Sequence, residues 1–168
     1  MIKLILGPMF AGKTTELLRL IRLHKQARQQ VLAITYAEDD RILQTHDFES
    51  EFSVPALSLS DAQFYITEQT RVIAIDEGQF YPDLVEFCER WASEGLTVIV
   101  AALDGDTSRT PFANVSKLIS LADDVYKLTA VCQFCAETAP FTIKSEEFAK
   151  FGDKGYAAVC RKCFYKFQ

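Results

Sequence analysis

The sequence predicts a parallel α/β sheet with helices on both faces, followed by a small C-terminal lobe tied by a metal. Three observations predict it. Apolar runs of strand length alternate with helical patterns from Ile2 to Val131. The first run leads into Gly7-Pro8-Met9-Phe10-Ala11-Gly12-Lys13-Thr14, where two glycines four residues apart precede a lysine and a hydroxyl, the pattern of a phosphate-binding loop (P-loop). After Val131 the alternation stops, and two Cys-x-x-Cys pairs follow, Cys132 with Cys135 and Cys160 with Cys163, at zinc-ribbon spacing. The expected division is a P-loop nucleotide-binding domain over 1–131 and a zinc-binding domain with a substrate lid over 132–168.

In chain order, Ile2 to Leu6 reads as a buried strand. Thr15 to Arg28 carries Leu17, Leu20, Ile21 and His24 at helical spacing; His24 has no partner one turn away and reads as a core-edge or solvated residue. Val31 to Thr35 is a second strand. The polar segment from Tyr36 to Asp47 follows neither period and is either a solvated connection or a loop that carries function. Ser60 with Gln63 resembles a capping box opening a short helix towards Glu68. Arg71 to Ile75 is apolar enough for a strand buried on both faces, and it ends in Asp76-Glu77. Pro82 then starts a helix with Leu84, Val85, Cys88 and Trp91 inward and Gly95 as its stop, with Cys88 a core thiol. Thr97 to Leu103 is a further strand, the polar loop Asp104 to Arg109 leaves its end, and a helix over Asn114 to Ala122 leads to a strand over Tyr126 to Val131.

The loop chemistry follows from that context. Amide N–H groups of a strand-to-helix loop point inward at phosphate oxygens, and the helix N-terminus adds partial positive charge. Lys13 would reach the β and γ phosphates of ATP, and Thr14 would place its hydroxyl on Mg²⁺. A chance Gly/Lys turn is the competing reading. Ligands of open α/β sheets bind outside the C-terminal strand edge, which puts Asp76 on Mg²⁺ and lets Glu77 aim at a nucleophile; otherwise the two acids simply cap the Pro82 helix. Arg109 falls near the same edge. Four thiolates make a closed tetrahedral zinc site, structural in role. Two disulfides are the alternative, disfavoured in a reducing compartment. The 24 residues from Ala136 to Val159 are pinned at both ends and read as a lid, in a lobe too small for a hydrophobic interior of its own.

Composition narrows the function. The 168-residue chain is 49% hydrophobic with a net charge of −5, so no basic footprint for nucleic acid is expected and an anionic ligand must be drawn by a local site. No apolar run approaches the roughly 20 residues of a membrane span. A strand begins at once after Met1, which leaves no room for a signal peptide and gives the expectation of a cytoplasmic protein.

Together these residues resemble, over essentially the whole chain, the type II thymidine kinases, the cellular and poxviral kind. The matching stretches are Gly7 to Thr14, Asp76-Glu77-Gly78-Gln79-Phe80, Ala101-Ala102-Leu103-Asp104-Gly105, Lys127-Leu128-Thr129-Ala130-Val131-Cys132 and Cys160-Arg161-Lys162-Cys163. The resemblance implies a P-loop (RecA-like) fold, ATP with Mg²⁺ as phosphate donor, deoxythymidine and in second place deoxyuridine as acceptor, feedback by dTTP, and a homotetramer. By position it implies Glu77 as general base, Asp39 and Arg41 beside the transferred phosphate, and Met9, Phe80, Leu103, Phe112, Thr142 and Tyr156 around the nucleoside, with Thr142 opening the lid or lasso. Three departures from the family pattern stand out: Asp106-Thr107 replace Thr-Phe, the lid is short, and its glycine pair is reduced to Gly152. The chain runs five residues past Cys163; the resemblance then implies that the regulatory tail of vertebrate members is absent and that the source is viral or microbial. The reaction expected is direct in-line transfer, with Lys13, Arg41, the loop amides and Mg²⁺ supplying positive field and Arg109 a weaker contributor. Two rivals remain, a nucleotide-driven motor or helicase, whose Walker-B strand also ends in Asp-Glu, and a zinc-ribbon module that binds nucleotide for regulation.

Overall fold

The structure is a computed structural model that describes residues 1–38, 53–144 and 155–167. Its centre is a six-stranded parallel sheet in the order β3-β2-β4-β5-β1-β6, made of β1 (Ile2–Leu6), β2 (Gln30–Tyr36), β3 (Ser53–Ala56), β4 (Thr70–Ile75), β5 (Thr97–Ala102) and β6 (Asp124–Lys127). The phosphate-loop strand and the carboxylate strand are not neighbours, because β5 runs between them.

Burial on both faces explains why these strands read as unbroken apolar runs. Ile2, Leu4, Ile34, Ile73, Ile75, Val98 and Val100 face one side, where α3 (Leu84–Ser93) brings Leu84, Phe87 and Trp91 and α4 (Ala113–Ile119) brings Val115 and Leu118. Ile5, Ala33, Val72, Ala74, Ile99 and Ala101 face the other side and receive Leu17 and Ile21 of α1 (Lys13–Gln26). Three alanines on that face let α1 lie close against the sheet. Cys88 is a fully buried core thiol, and burial pushes its ionisation well up.

Several boundaries differ from the sequence reading, each for a local reason. Helix α1 begins at Lys13, because Gly12 takes a left-handed conformation (φ 80°) as its N-cap and its carbonyl accepts from Glu16 N at 2.9 Å. The cap of α2 (Leu59–Ala62) is Ser58, not Ser60: its hydroxyl accepts from Asp61 N, while Asp83 accepts from the amides of Leu59 and Ser60. That helix ends at Ala62 in a 3₁₀ turn over Gln63–Tyr65 rather than running to Glu68. The strand expected over 126–131 is two pieces: β6 pairs with β1, then β7 (Ala130–Val131) turns off to pair with β8 (Thr138–Ala139). Edge strand β3 contains Pro55, which an edge tolerates because no ladder bond is required of it.

The C-terminal segment adds an antiparallel pair, β9 (Phe141–Lys144) with β10 (Tyr156–Val159), and α5 (Arg161–Lys166). The expectation that it lacks an interior is wrong. Ala139, Ile143, Ala157, Ala158, Val159 and Phe164 form a buried cluster together with Cys132, Cys160 and Cys163, and Ala11 of the phosphate loop packs against it. The insert after Cys135 is accordingly sheet as well as loop; residues 145–154, Gly152 among them, on which much of the expected lid falls, lie outside the described residues.

Candidate active site

The phosphate loop is shaped by what surrounds it. A Cβ on Gly7 would stand 2.6 Å from the Leu128 carbonyl oxygen, so only glycine lets the chain after β6 pass this close. Phe10 adopts a left-handed conformation (φ 66°) and is exposed at the loop's tip. Lys13 Nζ donates across the loop to the Pro8 carbonyl at 2.9 Å. Not every loop amide points inward, however: Met9 N donates to Thr142 Oγ1 at 2.9 Å, which fastens the loop to β9. Thr142 is buried, and this bond places a residue expected beside the nucleoside directly on the phosphate loop.

At the end of β4 the two acids divide. Asp76 is buried and accepts from Thr14 Oγ1 at 3.0 Å, so the phosphate-loop hydroxyl and the carboxylate meet across intervening β5. Burial, and after it the charge of Glu77, push the Asp76 carboxyl up to about 6 against the pull of the Thr14 and Glu77 hydrogen bonds. A hydroxyl and a buried carboxylate in contact are oxygen donors of the kind Mg²⁺ takes, so the pair fits that ion. Glu77 leaves the strand in a left-handed conformation (φ 53°, ψ 43°), its amide donating to Asp76 Oδ1 at 3.0 Å. A non-glycine residue held there stores roughly 1–3 kcal/mol of backbone strain, a cost that recurs at functional sites. The kink takes Glu77 out of the strand's alternation.

Glu77 opens a 3₁₀ turn over Gly78–Phe80. Phe80 is exposed and stacks on Tyr36 at 4.9 Å between ring centroids, half-buried Phe112 is the N-cap residue of α4, and half-buried Leu103 follows β5. Tyr156 is half-buried on β10 with Lys144 Nζ 5.2 Å from its ring centre. Asp39 and Arg41 lie outside the described residues. A cavity of about 210 Å³ opens between Pro8, the Asp104–Asp106 loop and Pro140–Thr142, with the Lys127–Asp104 ion pair (2.6 Å) in its wall. Of the residues expected around the nucleoside, only Thr142 lines it.

Arg109 also lines that cavity, and its contacts are aromatic. Its guanidinium lies 4.3 Å from the Phe164 ring centre and 4.9 Å from that of Tyr165, whose hydroxyl accepts from it at 3.2 Å. Cation–π contact with the C-terminal lobe is what this arginine provides. The residues to which sequence reasoning gave no role here are Tyr36, Gln79 and Asn114; Tyr36 continues the Leu32 and Ile34 face of β2 and Gln79 lies within Asp76 to Phe80, but spacing alone assigns none of them a contact.

Cys132, Cys135, Cys160 and Cys163 have all four sulfurs within 4.8 Å of one another. Cys135 and Cys160 are 3.6 Å apart and Cys135 and Cys163 3.7 Å. Four ligands at ~2.3 Å in a tetrahedron stand roughly 3.7 Å from each other, so the cluster fits zinc, and all four thiols are free rather than paired in disulfides.

A phosphate-binding loop at the C-terminal edge of a parallel sheet, with its hydroxyl on a buried acid at the end of a nearby strand, is the arrangement of a P-loop kinase; the chain is of that class. It belongs to the thymidine kinase family, whose profile matches residues 1–164. The thymidine kinase of myxoma virus (strain Uriarra) is 46% identical over 171 residues, covering 98% of this chain and 96% of the viral protein. Those of vaccinia virus (strain Ankara) and variola virus are each 47% identical over 170 residues, covering 97% of this chain and 96% of theirs.

Proposed function

We propose that this kinase transfers the γ-phosphate of ATP to the 5′-hydroxyl of deoxythymidine, giving dTMP in nucleotide salvage, with Glu77 as general base. The observation that carries this reading is the division of labour at the end of β4, where Asp76 contacts Thr14 and Glu77 is kinked out of the strand. The hydroxyl proton passes to the Glu77 carboxylate as the oxygen attacks phosphorus in line and ADP leaves. Lys13 and the inward loop amides stabilise charge on the phosphoryl oxygens. Thr14 and Asp76 would hold Mg²⁺, which neutralises phosphate charge when bound. Asp39 and Arg41 belong beside the transferred phosphate; Met9, Phe80, Leu103, Phe112, Thr142 and Tyr156 belong around the nucleoside.

The same reading makes residues 1–131 the nucleotide-binding domain and 132–168 a zinc-tied domain with a lid that excludes water from the reaction. The Met9–Thr142 bond and the Arg109 contacts support coupling between the two. Deoxyuridine as second acceptor, dTTP as feedback inhibitor and a homotetramer complete the proposal. The thiol cluster suits the reducing cytoplasm, and no helix among the described residues is long and apolar enough to cross a membrane. The test is ATP consumption with thymidine, with other deoxynucleosides, with DNA and with no acceptor. Thymidine-dependent ADP and dTMP formation supports the proposal; DNA-dependent or acceptor-independent hydrolysis would point to a motor instead.

A further inference from the structure

The turn after Glu77 contains a side chain that no step above uses. Gln79 is 6% exposed and both ends of its amide are bonded: Nε2 donates to Glu77 Oε2 at 2.5 Å, and Oε1 accepts from Leu103 N at 2.9 Å. The orientation is unambiguous, because a backbone N–H can only donate. Oε1 must face Leu103, and the NH₂ group must face the carboxylate.

The backbone of Gln79 is held as firmly as its side chain. A Cβ on Gly78 would stand 2.6 Å from Val100 Cγ1, so the turn lies flush against β5. From the far side, Asn114 Nδ2 in the first turn of α4 donates to the carbonyls of Tyr81 (2.8 Å), Gln79 (3.2 Å) and Gly78 (3.4 Å).

We propose that Gln79 is a positioning residue for the reaction: its amide fixes the Glu77 carboxylate for the acceptor hydroxyl and ties it to Leu103 in the nucleoside wall. This rests on the reading of Glu77 as base. The chemistry suits the role, since an amide donor orients a carboxylate without supplying the full positive charge by which lysine or arginine would weaken it as a base. One side chain thereby keeps base and acceptor wall in register across the ends of β4 and β5.

A double-mutant cycle tests it. Gln79→Leu removes both bonds, whereas Gln79→Glu keeps an acceptor for Leu103 N and replaces the donor by a carboxylate oxygen set against Glu77. Each is made alone and with Glu77→Gln, and kcat, both KM values and thermal unfolding are measured. Misplacing a reacting group by about 1 Å costs up to about 100-fold, so each single variant should lose about 10- to 100-fold in kcat, with KM for ATP within about twofold. Added to Glu77→Gln, neither should cost more than about threefold further, because groups acting as a unit are not additive. The same loss in both backgrounds, or a Gln79→Glu enzyme with parental kcat, would overturn the proposal. If the leucine variant fails to fold, the glutamate variant decides alone. Near-parental activity of Glu77→Gln itself would remove the base, and this proposal with it; that outcome is distinct from a failure at Gln79 while Glu77 stays essential.

Discussion

Asp76→Asn should stabilise the ligand-free protein at neutral pH while removing magnesium-dependent turnover. The Asp76 carboxyl is buried and raised from its ordinary 3.8 to about 6, by burial first and by Glu77 second. A carboxyl raised in the folded state binds its proton more tightly there than in the unfolded chain, so stability falls as pH rises from about 4 to about 6 and stays reduced above that window. A gap of about two pH units corresponds to roughly 3 kcal/mol. Asparagine keeps both hydrogen bonds: Oδ1 can accept from Glu77 N, and Nδ2 can donate to Thr14 Oγ1 with that bond reversed. Burying the amide itself takes back about half, leaving a gain of about 1–2 kcal/mol, or about 2–8 °C in Tm for a chain of this size. The assay is calorimetric or fluorimetric unfolding in magnesium-free buffer with zinc retained, from pH 4 to pH 8. The variant should fall below its parent near pH 4, by the cost of burying the amide, and exceed it from about pH 6 upward. A variant less stable than its parent at pH 7, with an unchanged pH profile, would show that the Asp76 carboxylate is fully satisfied and that the reasoning fails.

Lys13→Ala should raise KM for ATP and lower kcat together, since the ammonium acts on the phosphates in both ground and transition states; steady-state kinetics against ATP checks this. Gly78→Ala, whose new methyl group meets Val100 Cγ1, should cost about 1–3 kcal/mol of stability and lower kcat by disturbing the Glu77 turn, read by unfolding and initial rates. Chelation of zinc or Cys160→Ser should loosen the C-terminal lobe and abolish nucleoside binding before the main sheet unfolds; limited proteolysis and thymidine titration follow it, and freshly purified protein without zinc by elemental analysis would refute it. Deoxycytidine should be rejected by several powers of ten in kcat/KM, and deoxyuridine disfavoured by about 10- to 200-fold at most, because a missing methyl group matters less than a mispaired polar edge. Parallel kinetics at fixed ATP decide both.

What was legible in the sequence follows what the physics writes locally. Strands β1, β2, β4 and β5 are buried on both faces and so appear as apolar runs, and the phosphate loop announces itself by Gly7, Gly12, Lys13 and Thr14. The four cysteines were legible by spacing, but the apolar cluster around them was not, being assembled from the short strands β7 to β10 and Phe164. Strand β3 was hidden because an edge strand of four residues with a central proline carries no period. The order of the strands is a property of long-range pairing, and the placing of β5 between β1 and β4 cannot be read from any window. Arg109 was placed at the C-terminal strand edge by its loop and does line the cavity beside Pro8, but the aromatic rings around it come more than thirty residues later, from Phe141, Phe164 and Tyr165, and no local pattern shows them. Gln79 and Asn114 act through bonds to backbone groups of other elements, which leave no mark on residue type or spacing.

The central claim, that Glu77 takes the proton of a nucleoside hydroxyl attacking ATP, is tested most directly by Glu77→Gln under single turnover with thymidine and excess enzyme. The rate of dTMP formation should fall by about 10²- to 10⁴-fold, the usual worth of a general base, with ATP binding and thermal stability near the parental values. A rate within a few-fold of the parent, with thymidine and ATP both bound, would contradict the account.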